Sequence, residues 1–545
     1  MSDAHPGPTG PDPRPAPPAP SSPGGAGGAA VSPVDREAVL SVAAILPHWL
    51  ATVSAVRRLT GVQAAIWHDG ELVCEVAVGT ADGTTGAQLA TTHRLRIASH
   101  SKRFTALAVM HLAEQGALRL DDTLGERVAE LAGSPVASLT LHDLLSHSAG
   151  LTRDGADASW WNLERPFPDR EALLEIARTS AVVLEPGLHL QYSNIGYGLL
   201  GLVIEDTAGA PFDEAVRALV LDPAGAGDIG PDLPPDAPGP EDPHGFALGH
   251  TSPLHGERRA VEQVPTGALA AATGFWATAG AIATFAGRAL TGDAVVSEAG
   301  LRRMRRRVWT VADGAGYGLG LQEAIIHGLS AIGHSGGFPT GLTRTWAVPA
   351  SHLAVSVLGT SIDALSSDLA AGVLGLLALA SGSAAAKAAA HERSGALGGG
   401  SDGRRRPEPL AEQDEVTIGG APVPAAQLAG IVAGSYDSLW GRTRLAVLGG
   451  RLFALDEDAL DPAETALELR IGAVVDGPSD AGPAHPVLLE LPAWGDSGYG
   501  AWAEPLRVRL VPGPEGLRPA SLWITGQTLL PAGDVDLPER IRAPR

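Results

Sequence analysis

Apolar positions along this 545-residue chain follow different rhythms in different stretches, and the changes of rhythm mark out its elements. From Val34 to Arg58 the spacing predicts an amphipathic helix. Val62–Trp67 and Leu72–Val78 are apolar runs joined by His68-Asp69-Gly70, and Asp-Gly between two such runs predicts a hairpin. At Ser99 the period lengthens again. Phe104, Leu107, Ala108 and Leu112 recur at helical spacing up to Gly116, so a helix is expected to open at Ser99. Helical segments dominate to about residue 285, interrupted by a Pro/Asp-rich loop from Asp222 to Pro243. Strands return at Gly316–Leu321, Ala331-Ile332, Leu342–Val348 and Leu353–Leu358, and a helix from Leu365 to Ala380 closes this part.

Beyond it, Ser381–Asp414 is rich in Ala, Gly and Ser, contains Arg404-Arg405-Arg406, and is expected to be a linker. Residues 415–545 alternate in short runs such as Thr443–Leu448 and Leu506–Leu510, separated by Gly/Pro turns. That pattern predicts a small all-β barrel or sandwich. The organisation expected is a Pro/Gly/Ala-rich tail (1–34), an α+β domain (35–380), a linker (381–414) and a β-domain (415–545), with no internal repeat.

Composition narrows the function. A formal charge of -22 argues against nucleic acid and anionic membranes as partners. The tail holds ten prolines and lacks the basic and apolar regions of a secretory signal. The longest apolar run, near residues 370–380, is too short to span a bilayer, so a cytoplasmic location is expected. Cys74 has no partner for an intramolecular disulfide and is expected to be a core thiol. No His/Cys/Asp cluster has metal-ligand spacing, no carboxylate pair is set for acid/base work, and no glycine loop has a phosphate-binding context, so no cofactor is expected.

The chemistry is concentrated elsewhere. The chain has two lysines among its 39 basic residues; Lys387 falls in the linker, and Lys102 stands three residues after Ser99. Arginine is never deprotonated in a protein, whereas a desolvated lysine is able to act as a general base. On a helix, Ser99 and Lys102 share a face, and the helix N-terminus places N–H groups near the serine oxygen. Such a base requires the lysine pKa of ~10.4 to fall by about three units, or about 4 kcal/mol of preference for the neutral form.

Two further segments complete a pattern: Gln191-Tyr192-Ser193-Asn194 and Gly333-His334-Ser335-Gly336-Gly337. With Ser99-x-x-Lys102 they resemble the serine β-lactamase and penicillin-binding superfamily, nearest to its class C-like esterases and D-aminopeptidases, where histidine replaces the first lysine of Lys-Thr-Gly. Leu144–Leu151, Ala272–Thr278 and Tyr317–Gly320 are similar to other phrases of that family, and the likeness covers about residues 38–380. The resemblance implies an antiparallel sheet flanked by helices with a helical subdomain. It implies Ser99 as acylated nucleophile, Lys102 and Tyr192 sharing the general base role, and Tyr192 protonating the leaving group. Asn194 would orient Lys102 and bind a substrate amide. His334 would keep the site polar or cationic, and the glycines Gly336 and Gly337 would border the oxyanion hole formed by the N–H groups of Ser99 and Gly337.

The substrates implied are small esters, amides or D-amino acid peptides; the alternative is a sensor that is acylated and does not turn over, or a C-terminal domain that recruits a partner. Without Lys-Thr-Gly, recognition of a lactam carboxylate is not implied. His147 is expected to be structural, Trp160 and Trp161 to be core aromatics, and Arg302–Arg307 to be a solvated helix face.

Overall fold

The computed structural model describes residues 33–312, 314–381, 414–418, 421–448, 450–456, 466–476, 486–494, 504–514, 516–535, 537–538 and 540–542. The proposed linker lies outside the described residues, apart from its two ends.

A nine-stranded antiparallel sheet forms the centre of the first domain. Third from one edge is β1 (Gly61–His68), flanked by β2 (Glu71–Asp82) on the side of that edge. On the other side follow β6 (Leu353–Gly359), β5 (Gly341–Val348), β4 (Leu329–Phe338) and β3 (Gln322–Ile326). Every residue of β1 is buried. Val62, Ala64 and Ile66 pack into the cluster formed by helices α1 (Arg36–Arg57) and α5 (Ser366–Ala380), while Ala65 and Trp67 join the cluster of α2 (Ser101–Glu114) and α4 (Ala279–Leu290). A strand covered on both faces reads as a near-continuous apolar run, as Ala64–Trp67 does; the one buried polar side chain of Val62–Trp67, Gln63, donates to Ala90 O and His93 O. The expected hairpin is present, with Asp69 and Gly70 both at positive φ in its turn.

Among the described residues one helix, α1, is long and apolar enough to cross a membrane; it is also the longest, displacing the run near 370–380. Its residues Val39, Val42, Leu46 and Leu50 are buried against the sheet and α5. Cys74 is half-buried on β2 against α1, so the thiol sits at the edge of the core and not within it, and burial raises its pKa.

Residues 434–531 supply a ten-stranded antiparallel sheet, curled into an open half-barrel. Its central strands are β7 (Gly434–Ser438), β8 (Gly441–Leu448), β11 (Leu506–Gly513), β12 (Gly516–Ile524) and β13 (Gln527–Pro531), with β9 (Arg451–Asp456) and β10 (Val487–Leu491) outside them. The half-barrel has its own core, including Tyr436, Leu445, Leu489, Val508 and Leu522. It also docks on the first domain. Ala158 N–H donates to Gly526 O at 2.7 Å, Trp523 Nε1 to Ala156 O at 3.1 Å, and Trp440 Nε1 to Trp161 O at 3.0 Å. Arg540 and Ile541 add a short parallel pairing to Ala260 and Val261.

Candidate active site

Ser99 does not open the helix; it sits in a 3₁₀ turn, Ala98–His100, just before α2 begins at Ser101. Ala98 is held at φ 49°, a left-handed conformation that alanine adopts only where surrounding structure imposes it. The constraint is visible: Ile97 N–H donates to Phe275 O at 2.8 Å, and Ser101 Oγ donates to Ala98 O at 2.6 Å while accepting from Phe275 N–H at 3.0 Å. The turn presses on β4. A methyl group on Gly336 would lie 2.2 Å from Ile97 O, so only glycine lets the strand lie against the turn that carries Ser99. This is the physical content of the glycine in His334-Ser335-Gly336. Strand β3 pairs with Leu329–Gly333 only, so the edge of β4 from His334 onward runs beside the Ser99 turn.

Lys102 is fully buried. Its Nζ lies 2.6 Å from Asn194 Oδ1, 3.0 Å from Ala272 O and 3.3 Å from Ser99 Oγ. Burial pushes the lysine pKa well below its ordinary value; the carboxylate of Asp154 opposes that shift and Arg153 reinforces it. A neutral amine has two N–H groups and one lone pair. With the amine neutral, the two carbonyl oxygens would take its two N–H groups and leave the lone pair facing the hydroxyl of Ser99.

Asn194 begins helix α3 (Asn194–Ala208), whose N-cap is Ser193: its Oγ accepts from Gly196 N–H at 2.9 Å and donates to Thr152 O at 2.7 Å. The Asn194 amide donates to Asp154 Oδ1 at 2.8 Å, which turns its oxygen toward Lys102. Asp154 is 1 % exposed; burial raises its pKa, and Arg153, with Nε at 3.4 Å, is the nearest opposing charge.

Tyr192 lines the same cleft, its ring centroid 4.7 Å from Lys102 Nζ and 4.2 Å from the ring of His147. His147 is structural as expected. Its Nδ1 accepts from Ser193 N–H at 3.1 Å and its carbonyl accepts from Gln191 N–H at 2.8 Å, so it braces the segment that carries Tyr192.

His334 is buried beside Tyr192, its ring centroid 6.4 Å from that of the tyrosine. It is 1 % exposed, and burial, with Lys102 second, lowers its pKa well below 6.5. The imidazole is therefore neutral near pH 7 and not cationic; it contacts the Tyr317 hydroxyl at 3.3 Å and Ser335 O at 2.6 Å. Ser335 and Gly337 line the cleft beside Ser99. Gly336 faces the turn, not the cleft.

The cleft has a volume of about 230 Å³. It joins Ser99, Tyr192, Asn194 and Gly337 to groups that sequence reasoning left out: Arg153, Asp154, Gln322, and, from the half-barrel, Trp440 and Gln527. Trp160 and Trp161 both belong to the buried core, at 1 % and 5 % exposure, and Trp161 in addition forms a wall of this cleft. The Trp440 ring stands 5.9 Å from that of Trp161, edge to face, and lies against Gly337.

Residues 48–380 match the family described as Beta-lactamase, more than half of the chain. Among curated proteins, esterase EstB of Burkholderia gladioli is 34 % identical over 188 residues, which is 32 % of this chain and 47 % of that protein. The chain spans about half the length of the curated relatives it matches. Among solved structures, the octameric penicillin-binding protein homologue from Pyrococcus abyssi superposes on 89 % of this chain and 99 % of its own, with TM-score 0.55 at 21 % identity. The D-amino acid amidase from Ochrobactrum anthropi SV3, complexed with D-phenylalanine, covers 63 % and 98 % with TM-score 0.52 at 20 % identity. At these identities the structural likeness is one of fold.

Proposed function

Because this chain belongs to the beta-lactamase family, we propose that it is a serine hydrolase acting on small esters, amides or D-amino acid peptides through a covalent acyl-enzyme. The observation that carries the reading is the buried Lys102 amine, with two carbonyl acceptors and Ser99 Oγ at 3.3 Å. In this reading Lys102 Nζ takes the hydroxyl proton as Ser99 Oγ attacks the substrate carbonyl carbon. The resulting oxyanion lies at the N–H groups of Ser99 and Gly337. Tyr192 relays the proton to the leaving group, whose bond to the acyl carbon then breaks. Water then gives a proton to the same pair as its oxygen bonds to the acyl carbon, the bond from that carbon to Ser99 Oγ breaks, and Oγ takes the proton back as the acid leaves.

Two features support a small acyl group: the cleft volume of about 230 Å³ and the aromatic walls Trp161 and Trp440. The activities for which the relatives are named, an esterase and a D-amino acid amidase, fit the same substrate range. Steady-state hydrolysis of p-nitrophenyl acetate, D-alanine p-nitroanilide and a chromogenic cephalosporin by wild type and Ser99→Ala tests the proposal. Turnover of at least one substrate that disappears in Ser99→Ala supports it; turnover that persists in Ser99→Ala contradicts it.

A further inference from the structure

Docking of the half-barrel leaves one contact unexplained. Glu504, two residues before β11, carries its carboxylate into the first domain, where the residue is 5 % exposed. Oε2 accepts from Thr152 Oγ1 at 3.1 Å; Oε1 accepts from Arg153 N–H at 2.7 Å and from Gln191 Nε2 at 2.9 Å. Burying a carboxylate is costly unless its environment demands one. Attachment does not demand it, because Trp440, Trp523 and Gly526 already hold the half-barrel through bonds to residues 156–161.

What Glu504 joins is more specific. Thr152 and Arg153 directly precede Asp154, and Gln191 directly precedes Tyr192. The two segments are also tied to each other: Asn194 N–H donates to Arg153 O at 2.8 Å, and Ser193 Oγ to Thr152 O. We propose that Glu504 is a positioning residue supplied by the C-terminal domain, which fixes the 152–154 and 191–194 segments relative to one another and so sets Tyr192 and Asn194 against Lys102. A carboxylate suits this place because it only accepts, and three donors converge on it. Glutamine has one acceptor oxygen and would turn its own N–H groups toward a donor.

The kinetic arm of the test rests on the hydrolase reading; the exchange arm does not. Glu504→Gln is expected to lower kcat for ester hydrolysis by about tenfold to a hundredfold, the effect of one unmatched buried donor, with KM changed less than about threefold. Amide hydrogen exchange at 152–155 and 191–195 should accelerate while 156–162 stays protected. Trp523→Phe removes a docking bond and should leave both kcat and the exchange of 191–195 as in wild type. Gln191→Leu cuts the tie to the Tyr192 segment without touching the half-barrel, and should reproduce the loss of kcat even if Glu504→Gln folds poorly.

The proposal is overturned if exchange at 191–195 is unchanged in Glu504→Gln, if Trp523→Phe and Glu504→Gln behave alike, or if kcat is unaffected despite faster exchange. Absence of turnover in wild type removes the hydrolase reading, and exchange alone then decides the role of Glu504.

Discussion

Replacing Lys102 with arginine keeps the positive charge and removes the base. In the folded protein Lys102 is 0 % exposed, and burial drives its pKa well below that of an ordinary lysine. At pH 7.5 an unperturbed lysine with pKa ~10.4 is neutral in only about one molecule in a thousand. Each unit of depression recovers a factor of ten, so burial raises the population of the proton-accepting form by orders of magnitude. A guanidinium, with pKa above ~12, offers no such form at any accessible pH. The expected loss is the full general-base contribution, about 10²- to 10⁴-fold in the acylation rate. The larger side chain adds strain of about 1–3 kcal/mol to a packed site, so folding is checked in parallel by circular dichroism.

The assay is single-turnover release of p-nitrophenol from p-nitrophenyl acetate between pH 6 and 9. The wild-type rate should rise with pH as Lys102 gives up its proton and then level off. Lys102→Arg should lie at least a hundredfold lower and show no such inflection. Folded Lys102→Arg acylating within about threefold of wild type, with the same inflection, would refute the lysine base.

Other expectations follow from the same site. Tyr192→Phe keeps the packing against His147 and removes the hydroxyl; turnover should fall by at least ~100-fold, and a smaller change would reduce Tyr192 to a packing residue. His100, His147 and His334 are each at most 1 % exposed and, chiefly through burial, have pKa values well below 6.5. Below pH ~6.5 the unfolded chain takes up protons that the folded protein refuses, so stability is lost as pH falls, at up to about 4 kcal/mol per pH unit for three histidines. Asp154 and Glu504, whose pKa values burial raises, favour the folded state as they protonate and flatten the slope at the acid end. Urea midpoints at pH 7.5, 6.5 and 5.5 measure this; equal midpoints would refute it. Arg103 is fully buried, none of its guanidinium nitrogens has a hydrogen-bond partner among the described residues, and burial lowers its pKa to about 9. Arg103→Met should raise Tm, because it removes an uncompensated buried charge; a loss of more than about 2 kcal/mol would show that the guanidinium is satisfied.

The parts of the site that were legible in the sequence are those encoded locally. Ser99 and Lys102 stand out because lysine is nearly absent elsewhere, and Tyr192 and Asn194 stand two residues apart in one short segment. The two-sided burial of β1 is written in the apolar run Ala64–Trp67. Long-range convergence left no such trace. Asp154 follows the Leu144–Leu151 phrase without a motif of its own; from the other domain Trp440 and Gln527 reach the cleft, and Glu504 reaches the segments that carry Asp154 and Tyr192. Trp160 and Trp161 are adjacent in sequence and both buried in the core, and the 3₁₀ turn from Ser159 to Asn162 brings Trp161 alone to the cleft. His334 is polar in type, yet its neutral state is decided by burial and by Lys102, neither of which composition reveals.

The central claim is that Ser99 becomes acylated, and rapid-quench mass spectrometry of the intact protein with p-nitrophenyl acetate tests it most directly. The account predicts one acetyl group gained within the first turnover, mapped by proteolysis to the peptide containing Ser99, and absent from Ser99→Ala. An acetyl group on another residue, or turnover by wild type with no adduct at any quench time and equal turnover by Ser99→Ala, would contradict it.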